Sequence, residues 1–581
     1  MEDLKSVNID TNKIILIEEN MKDVSNIAAK VSEDIVLLMI SPKKEILDVV
    51  INIGIILNSI KMSTKKYLVF IPGENHDIIE HMLATNVINI FNKESLNFDL
   101  IPIDIDLLSL ERDTALKEIY IENDLTSIDE LSCAFVRFEN CFGKVKYKYI
   151  KGDIAQNFCK SVEEKENDMG INNKEEILGM IVLDRSVDFL TLICSNYTLE
   201  GLIDETIGIN FGKMKIKESL LKEGLTKKKI DSNKTITYGL TTQNNPFYCS
   251  FRCMHYLDAS RFVLNIKNYY KNLAQEDKNE NKNTSLDQLS EITKEFNEFM
   301  QFKDKLIMLE NILNFIIKSV QNPNYLNYIE MEQLLLAGGL PNKLYHLYDE
   351  HLYEKRDLIS LIKLMIIESL TQNGIKDYQK LKREILNIYG YQNIFLFRDL
   401  ETMGWLKEKL FLNNILNLRK NIAELTHNQL NEKFKLIDYN FDPHNIQNCS
   451  YVCGGYCPLS LRLIELAVEG KWSKNSDTIK KIQGLGTIPE NERLISNPEK
   501  KENIMVIVFL GGITYTEIEG IRFLNRKYNE DYINNKRDTK MQFVIITTGI
   551  LNSKNIFGNF GIKENPSFSM KQFIDSLNSK Y

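Results

Sequence analysis

Short runs of apolar residues, separated by polar segments, mark both ends of the chain and predict buried β-strands. Apolar and polar positions do not alternate within these runs, which is typical of strands covered on both faces in a parallel sheet flanked by helices. The predicted strands are Ile14–Ile17, Ile35–Ile40, Tyr67–Ile71, Val87–Phe91, Leu100–Ile103, Met180–Leu183, Ile504–Leu510 and Phe543–Thr547. The last two flank the helical pattern of Tyr515–Tyr528, which predicts a right-handed βαβ unit.

The middle of the chain, from about Phe251 to Phe434, shows helical periodicity instead. Apolar residues recur every three or four positions from Leu286 to Val320, which predicts one helix about 50 Å long. It is expected to end at Asn322-Pro323, because the residue before proline resists helical geometry, and its length predicts a projecting arm. Further predictions are a polar loop at Asp277–Thr284, a helix and surface loop over Lys213–Lys234, and helices at Asp357–Leu370 and Tyr378–Ile388.

These patterns predict an α/β protein with an inserted all-α domain. The second series of strands begins at Met180 and resumes only after the helices, so the helical segment interrupts a domain that contains a sheet. The predicted domains are 1–150 (α/β), 151–245 together with 435–581 (α/β, discontinuous), and 246–434 (helical, with the arm).

Charge and cysteine usage narrow the class of protein. The 581 residues carry a net charge of −8, which argues against a dedicated nucleic-acid binder and against simple docking onto an anionic membrane. The net charge does not exclude a local basic patch on the surface. Nine sparsely spaced cysteines and an N-terminus without an apolar signal segment favour the reducing cytosol. The best apolar candidates for a membrane span, Val49–Ile60 and Ile504–Ile513, are shorter than the roughly 20 residues required, so peripheral or partner-mediated membrane association is expected.

Candidate chemistry is sparse. Asp104-Ile105-Asp106 follows a predicted strand and could hold a metal–nucleotide complex, but carboxylates that solvate a strand end are the favoured interpretation. Asp184, Arg185 and Asp188 follow another strand, where ligand sites of α/β proteins form, and an ion-paired turn is favoured there. Gly484-Leu485-Gly486 lacks the third glycine of a dinucleotide fingerprint.

The cysteines offer one further candidate site. Cys449, Cys453 and Cys457, with His444 nearby, could bind zinc, and Cys249, Cys253 and His255 could join them. Their spacing differs from the usual zinc motifs, so buried small side chains are the favoured interpretation. The residues alone therefore indicate an interaction protein, for which we predict no catalytic residue, no cofactor and no metal.

Several segments, in order along the chain, carry a family resemblance. They are VLDRSVDFLTLICSNYTLEGLIDETIG at 182–208, IDIDLLSLE at 103–111, LTQNGIKDYQKLKREILNIYG at 370–390, GYCPLSLRL at 455–463, VFLGGITYTEIEGIRFL at 508–524 and VIITT at 544–548. Together they resemble the Sec/Munc-like (SM) family of membrane-fusion proteins, and most closely its class of vacuolar protein sorting protein 33. Gly549 departs from the family's usual lysine-containing continuation, and Cys457 stands where an alanine is typical.

The resemblance implies an arch-shaped, three-domain molecule in which helical domain 3 is inserted into domain 2. It also implies a SNARE-binding chaperone of vesicle fusion that is a subunit of endosome and vacuole tethering complexes, next to a vacuolar protein sorting protein 16-like subunit. Such a protein is cytoplasmic, peripheral on late endosome, vacuole or lysosome membranes through its partners, and binds no nucleic acid. The alternatives are a tethering scaffold without SNARE binding, and an enzyme that holds a metal–nucleotide at Asp104, Asp106 and Asp184.

Two contact surfaces are predicted for these partners. The arm from Leu286 through Leu336 and a face of domain 1 are expected to hold SNARE motifs. The candidate SNARE contacts are Tyr325, Tyr328, Met331, Leu334 and Leu335, which could equally pack the hairpin of the arm itself. The candidate contacts for the tethering subunit are Tyr451, Tyr456, Leu459 and Arg462, because tyrosine and arginine are enriched in interface hot spots; a turn packed within domain 2 is the alternative.

Overall fold

The structure is a computed structural model that divides into two compact units, 1–101 and 102–581. It describes residues 14–16, 35–40, 65–70, 92–95, 100–170, 175–221, 234–279, 286–409, 425–482, 486–487, 502–537 and 539–561.

The first unit contains a four-stranded sheet in the order β1-β2-β3-β4. All three strand pairings are parallel. Three of the predicted apolar runs form the first three strands, whereas the run Val87–Phe91 lies outside the described residues. The strands are β1 (Ile14–Leu16), β2 (Ile35–Ile40), β3 (Lys65–Phe70) and β4 (Asn92–Ser95).

The second unit is built on a seven-stranded sheet in the order β11-β7-β8-β12-β13-β6-β5. Its strands are β5 (Ile101–Asp104), β6 (Leu107–Ser109), β7 (Lys144–Lys151), β8 (Glu175–Asp184), β11 (Gly486–Thr487), β12 (Glu502–Leu510) and β13 (Lys540–Thr547). The pairings from β7 through β8, β12 and β13 to β6 are parallel, and β11 joins β7 in antiparallel direction. Residues 505–510 of β12 are buried, as the apolar run predicts for a central parallel strand.

This sheet spans the predicted boundary at residue 150. Strands β5, β6 and β7 come from the segment predicted as domain 1, yet they lie in one sheet with β8, β12 and β13. The reason is a direct pairing of β6 with β13, in which Leu107 lies opposite Ile545. The domain boundaries themselves stay a prediction.

Along the chain, most of the helices lie between the strands that form the first part of this sheet and the strands that complete it. Strand β8 pairs with β12, with Val182 opposite Val508, and the named elements from Pro246 to Ile479 in the described chain are all helical. The predicted class, α/β with an inserted all-α segment, is therefore confirmed. The longer helices are α1 (Thr126–Phe142), α2 (Asp153–Asp168), α3 (Leu199–Thr206), α4 (Tyr256–Asn279), α5 (Leu286–Val320), α6 (Pro323–Leu336), α7 (Lys343–Glu354), α8 (Leu358–Thr371), α9 (Tyr378–Tyr389), α10 (Ile394–Thr402), α11 (His427–Phe434), α12 (Leu459–Val468), α13 (Tyr515–Ile533) and α14 (Ser553–Asn559).

Most predicted helices are confirmed, including α5 with the predicted bounds of the arm helix. The range Lys213–Lys234 begins with a strand that was not predicted, since Lys213–Lys217 forms β9 and pairs antiparallel with β10 (Thr235–Gly239). The helix predicted in this range is present in the described residues only at Glu218–Leu221. The predicted loop at Asp277–Thr284 begins inside α4, which continues to Asn279. None of the described helices is long and apolar enough to cross a membrane.

Candidate functional site

Helix α6, which carries the predicted SNARE contacts, is fixed to the sheet domain by two adjacent polar side chains. The Glu332 carboxylate is fully buried and accepts hydrogen bonds from the Ser195 backbone N–H and hydroxyl, both at 2.8 Å. The Gln333 amide donates to the Tyr197 hydroxyl at 3.2 Å and to the Cys453 carbonyl at 3.1 Å. These bonds join the helix to the segments after β8 and before α12, so its orientation is set by distant parts of the chain.

A buried lysine completes this anchor. The Lys363 ammonium group lies 3.2 Å from the Glu205 carboxylate and 5.7 Å from the centre of the Tyr328 ring. Burial raises the pKa of Glu332, although the charge of Lys363 and the hydrogen bonds from Ser195 act in the opposite direction. The charged groups Glu332, Lys363 and Glu205 each have a partner, as buried charges require, whereas the buried Tyr328 hydroxyl has no hydrogen-bond partner among the described residues.

The five predicted SNARE contacts divide between two faces of α6. Tyr328, Met331 and Leu335 are buried inside the chain, and Tyr325 is half-buried, 6.3 Å from the Tyr328 ring. Only Leu334, which is 42% exposed, is available to a partner in this conformation. The five residues stay a prediction as contacts, but the structure gives most of them a packing role.

The outward side of α6 carries a different set of apolar residues. Leu326 is 51% exposed and lies eight positions before Leu334, which places both on one helical stripe with the exposed Glu330 between them. Leu340, just beyond the helix, is 42% exposed. We call Leu326, Leu334 and Leu340 the leucine face.

The predicted contacts for the tethering subunit are mostly interior. Tyr451, Tyr456 and Leu459 are each no more than 3% exposed. The Tyr451 ring packs 5.3 Å from that of Phe523 in α13. Enrichment of tyrosine in hot spots could not separate these residues from core residues, because the same rings also fill interiors. They too stay a prediction as contacts.

Arg462, the fourth residue of that set, is nearer the surface. Its guanidinium group donates to the Glu465 carboxylate at 2.7 Å and to the Lys435 carbonyl at 3.2 Å. The segment after Lys435 pairs with the turn before α12, where the Asp438 N–H donates to the Gly455 carbonyl at 2.8 Å. This segment presents Tyr439, which is 78% exposed.

The carboxylates of Asp104 and Asp106 form ion pairs with two arginines. Asp104 is ion-paired with Arg252, and Asp106 accepts two bonds from Arg522 at 2.8 and 2.9 Å. Burial opposes ionisation of Asp104, but the hydrogen bond and charge of Arg252 outweigh it and lower the pKa of this carboxyl. The favoured interpretation, carboxylates that solvate a strand end, is therefore wrong for Asp104, because its side chain is buried and ion-paired.

The same cluster contains two neighbouring glutamates. Arg522 also donates to Glu200 at 2.9 Å and to Glu519 at 2.8 Å, and both carboxyls are buried. Burial and the proximity of Glu519 raise the pKa of Glu200 well above its ordinary value, which favours a protonated Glu200 beside an ionised Glu519. The cluster joins the end of β5, helix α3, the segment before α4 and helix α13, and its two arginines supply the counter-charges for the acids.

The turn after β8 is ion-paired, as predicted. Arg185 forms a two-pronged pair with Glu517 at 2.7 and 2.8 Å and donates to the Asp188 carbonyl at 2.6 Å. Asp184 accepts hydrogen bonds from the Tyr120 hydroxyl and from the Ser186 and Ile154 N–H groups. Because β8 and β6 are separated by β12 and β13 in the sheet, about 14 Å at the usual strand spacing, Asp184 does not share a site with Asp104 and Asp106.

The cysteine row is interior. Cys449, Cys453 and Cys457 are buried free thiols, and burial raises the pKa of Cys453. His444, the fourth candidate ligand, lies 3.0 Å from Asp258 and 3.0 Å from Arg261. In the described part of the chain no group of His, Cys, Asp or Glu side chains is arranged to hold a metal ion.

Sequence reasoning missed the anchor residues Glu332 and Gln333. One signal was present, since Glu332 stands between Met331 and Leu335 on an otherwise apolar helical face. An acid at such a position requires a buried partner. Its partner Ser195 is 137 positions away, so the sequence pattern could not identify it.

Comparison with known proteins supplies the context for this geometry. The model of the Sec1 family matches residues 1–559. Vacuolar protein sorting-associated protein 33A of Rattus norvegicus is 26% identical over 543 residues, covering 89% of this chain and 85% of the relative. The vacuolar protein-sorting-associated protein 33 homolog of Arabidopsis thaliana is 23% identical over 516 residues, covering 85% of this chain and 81% of the relative.

Solved structures share the fold at low identity. The SM protein Vps45 in complex with the Qa SNARE Tlg2 matches with a TM-score of 0.53 and 14% identity, covering 90% of this chain and 86% of Vps45. Sly1p in complex with an N-terminal peptide of Sed5p matches with a TM-score of 0.51 and 15% identity, covering 96% of this chain and 93% of Sly1p.

Proposed function

Because this chain belongs to the Sec1 family, we propose that it is a SNARE-binding chaperone of vesicle fusion. The observation that carries the proposal is the family match over 1–559, which includes every strand and helix named above. Two solved neighbours support it, since one is an SM protein bound to a Qa SNARE and the other is bound to a peptide of Sed5p.

The leucine face offers a surface of the right chemistry for a SNARE helix. Leu326 and Leu334 project from a helix whose buried side is held by Glu332, so the apolar side chains stand on a rigid support. An amphipathic helix binds such a stripe through its own apolar residues at spacings of three and four. The proposed contacts are therefore the exposed leucines, with Tyr328, Met331 and Leu335 supporting them from beneath.

The mechanism rests on the cost of ordering a flexible motif. Each residue that becomes helical loses about 1–2 kcal/mol of backbone entropy. A rigid surface that holds one motif meets part of this cost before the bundle forms. If a second motif binds beside the first, their encounter becomes effectively intramolecular, which accelerates assembly without any new contact in the final bundle.

Substitution of Leu334 tests the surface. Leu334→Asp places a charge in the proposed contact and is expected to weaken binding of a SNARE motif about tenfold or more, since burying a leucine contributes about 1.5–3 kcal/mol. The matched control is Tyr353→Asp on α7, where the side chain is 91% exposed outside the leucine face. Equal affinities of both variants and the unmodified chain, measured by calorimetric titration, would discard the leucine face as the contact.

We also propose that the chain is a subunit of an endosomal or vacuolar tethering complex. The support is similarity to curated relatives named for vacuolar protein sorting, over more than four fifths of the chain. The expected neighbour is a vacuolar protein sorting protein 16-like subunit, and the membrane location is the late endosome, vacuole or lysosome, reached through partners.

For this subunit we propose the surface around Tyr439 and Arg462, with Tyr451, Tyr456 and Leu459 packed beneath it. Tyr439→Asp is expected to abolish co-purification with the partner subunit, because an exposed aromatic anchor is replaced by a charge. Ile533→Asp, at a residue 74% exposed on α13, is the control. Full co-purification of the Tyr439 variant would reject this surface. Retained tethering without any SNARE binding would favour the scaffold alternative.

A further inference from the structure

The hairpin formed by β9 and β10 presents a basic outer face. Along β9, Met214 and Ile216 are buried, whereas Lys213 and Lys215 are exposed. The register places Lys213, Lys215 and Lys217 opposite Gly239, Thr237 and Thr235, so this face carries lysines and threonines and no acidic residue of either strand. In the described chain no carboxylate pairs with Lys213 or Lys215, and the nearby Glu218 pairs with Lys234 at 3.1 Å.

An exposed aromatic residue stands at the turn that leads into β9. Asn210 and Lys213 exchange backbone hydrogen bonds of 2.9 and 3.0 Å around the two-residue turn Phe211-Gly212. Both turn residues have positive φ, 49° and 64°, a conformation that favours asparagine or glycine at the first position and disfavours a bulky residue. Phe211 is nevertheless 58% exposed.

The backbone holds this turn in place. The Leu240 N–H donates to the Gly212 carbonyl at 2.8 Å. A side chain at Gly212 would lie 2.3 Å from the Thr241 methyl group and 3.5 Å from the Ile103 carbonyl. The Ile103 carbonyl therefore borders this turn, and Ile105, two residues further along the chain, is 67% exposed.

Phenylalanine is an unfavourable residue at this position of the turn, and contacts within the chain do not account for its presence there. A phenylalanine in a left-handed turn is a conformational cost, and more than half of the residue's surface is left exposed by the chain. A contact outside the chain would account for it. The exposed lysines beside it favour an anionic partner for that contact.

We propose that Phe211 and the adjacent Lys213 and Lys215 form a contact site for the anionic surface of a lipid bilayer. An aromatic ring at the headgroup level and lysines toward anionic lipids are the elements of interfacial binding. A single exposed ring on a two-residue turn fits insertion between headgroups, whereas a stable protein interface needs about 800 Å² on each side. The overall charge of −8 would oppose such binding elsewhere on the surface, so the site would also orient the protein.

Flotation of the full chain with vesicles tests the site. Binding is expected to vesicles of phosphatidylcholine with phosphatidylserine, to be much weaker with phosphatidylcholine alone, and to fall as salt rises. Lys213→Gln with Lys215→Gln is expected to weaken partitioning about 25-fold, at about fivefold per lysine. Lys376→Gln with Lys380→Gln removes the same charge from exposed positions near α9 and is the matched control.

A second variant separates binding from folding. Phe211→Asn suits the turn better than phenylalanine, so its melting temperature should be unchanged or higher, while partitioning falls about tenfold. Failure of the unmodified chain to bind anionic vesicles would overturn the proposal. Equal binding by the Phe211 variant, or equal losses in the control pair, would also overturn it. The site does not rest on the proposed SNARE function, and SNARE titration without vesicles is unaffected by its failure.

Discussion

The buried pair of Arg185 and Glu517 should contribute strongly to stability, and its size can be worked from the contacts. Their side chains are 1% and 0% exposed, and they join segments 332 positions apart, on either side of the inserted helices. Arg185→Met removes both bonds and leaves the Glu517 carboxylate buried with Ser460 and Thr514 as its remaining partners. Breaking a buried pair from one side costs about 3–5 kcal/mol.

A double-mutant cycle isolates the pairing from the other effects. Glu517→Gln alone should cost a similar amount, because it leaves the Arg185 guanidinium buried without its counter-charge. The double variant should lose less than the sum of the two, by a coupling of up to about 3 kcal/mol. Urea unfolding followed by circular dichroism measures each free energy. Additive losses within about 0.5 kcal/mol would refute the reasoning, since contacting charges cannot behave independently.

Two further predictions concern stability. Burial lowers the pKa of His255 to about 4, so as pH falls below about 6.5 the unfolded chain takes up a proton at this residue before the folded chain does. The stability that neutral His255 contributes is therefore present above about pH 6.5 and is lost toward about pH 4, at up to about 1.4 kcal/mol per pH unit. His255→Gln should reduce the fall in urea midpoint across this window, and an unchanged fall would contradict the assignment. Gly152 has a φ of +111° and a side chain there would lie 1.9 Å from the Asp184 Cβ atom, so Gly152→Ala should lower the melting temperature sharply, whereas Gly170→Ala, with no atom within 4 Å, should lower it far less. Similar melting temperatures for the two alanine variants would contradict this account.

Elements with a continuous apolar run or a regular helical period could be predicted from the sequence, whereas strands in which lysines alternate with apolar residues were missed. The apolar run Ile504–Leu510 and the period of Leu286–Val320 each have one structural solution, and both are confirmed. Strand β7, with the sequence KVKYKYIK, alternates lysine with apolar residues and was not predicted. The same alternation in β9 was also missed, because the whole lysine-rich stretch was predicted to be a helix and a surface loop.

The candidate site was less predictable than the fold. The residue types of Tyr451 and Tyr456 suit an interface, but both side chains are buried within the chain. Their burial depends on Phe523, which is distant in the sequence, and on the turn before α12, which has no regular apolar pattern. The partners of Arg522 are likewise spread over Asp104, Asp106 and Glu200. Such pairings follow from tertiary structure, which no local periodicity specifies.

Calorimetric titration of the full chain with purified SNARE motifs, singly and as an assembled bundle, measures whether this chain binds SNARE proteins. We expect micromolar or tighter binding that Leu334→Asp weakens and Tyr353→Asp does not, with no response to a panel of nucleotides. No heat of binding with any SNARE motif or bundle, from a chain shown to be folded, would contradict it.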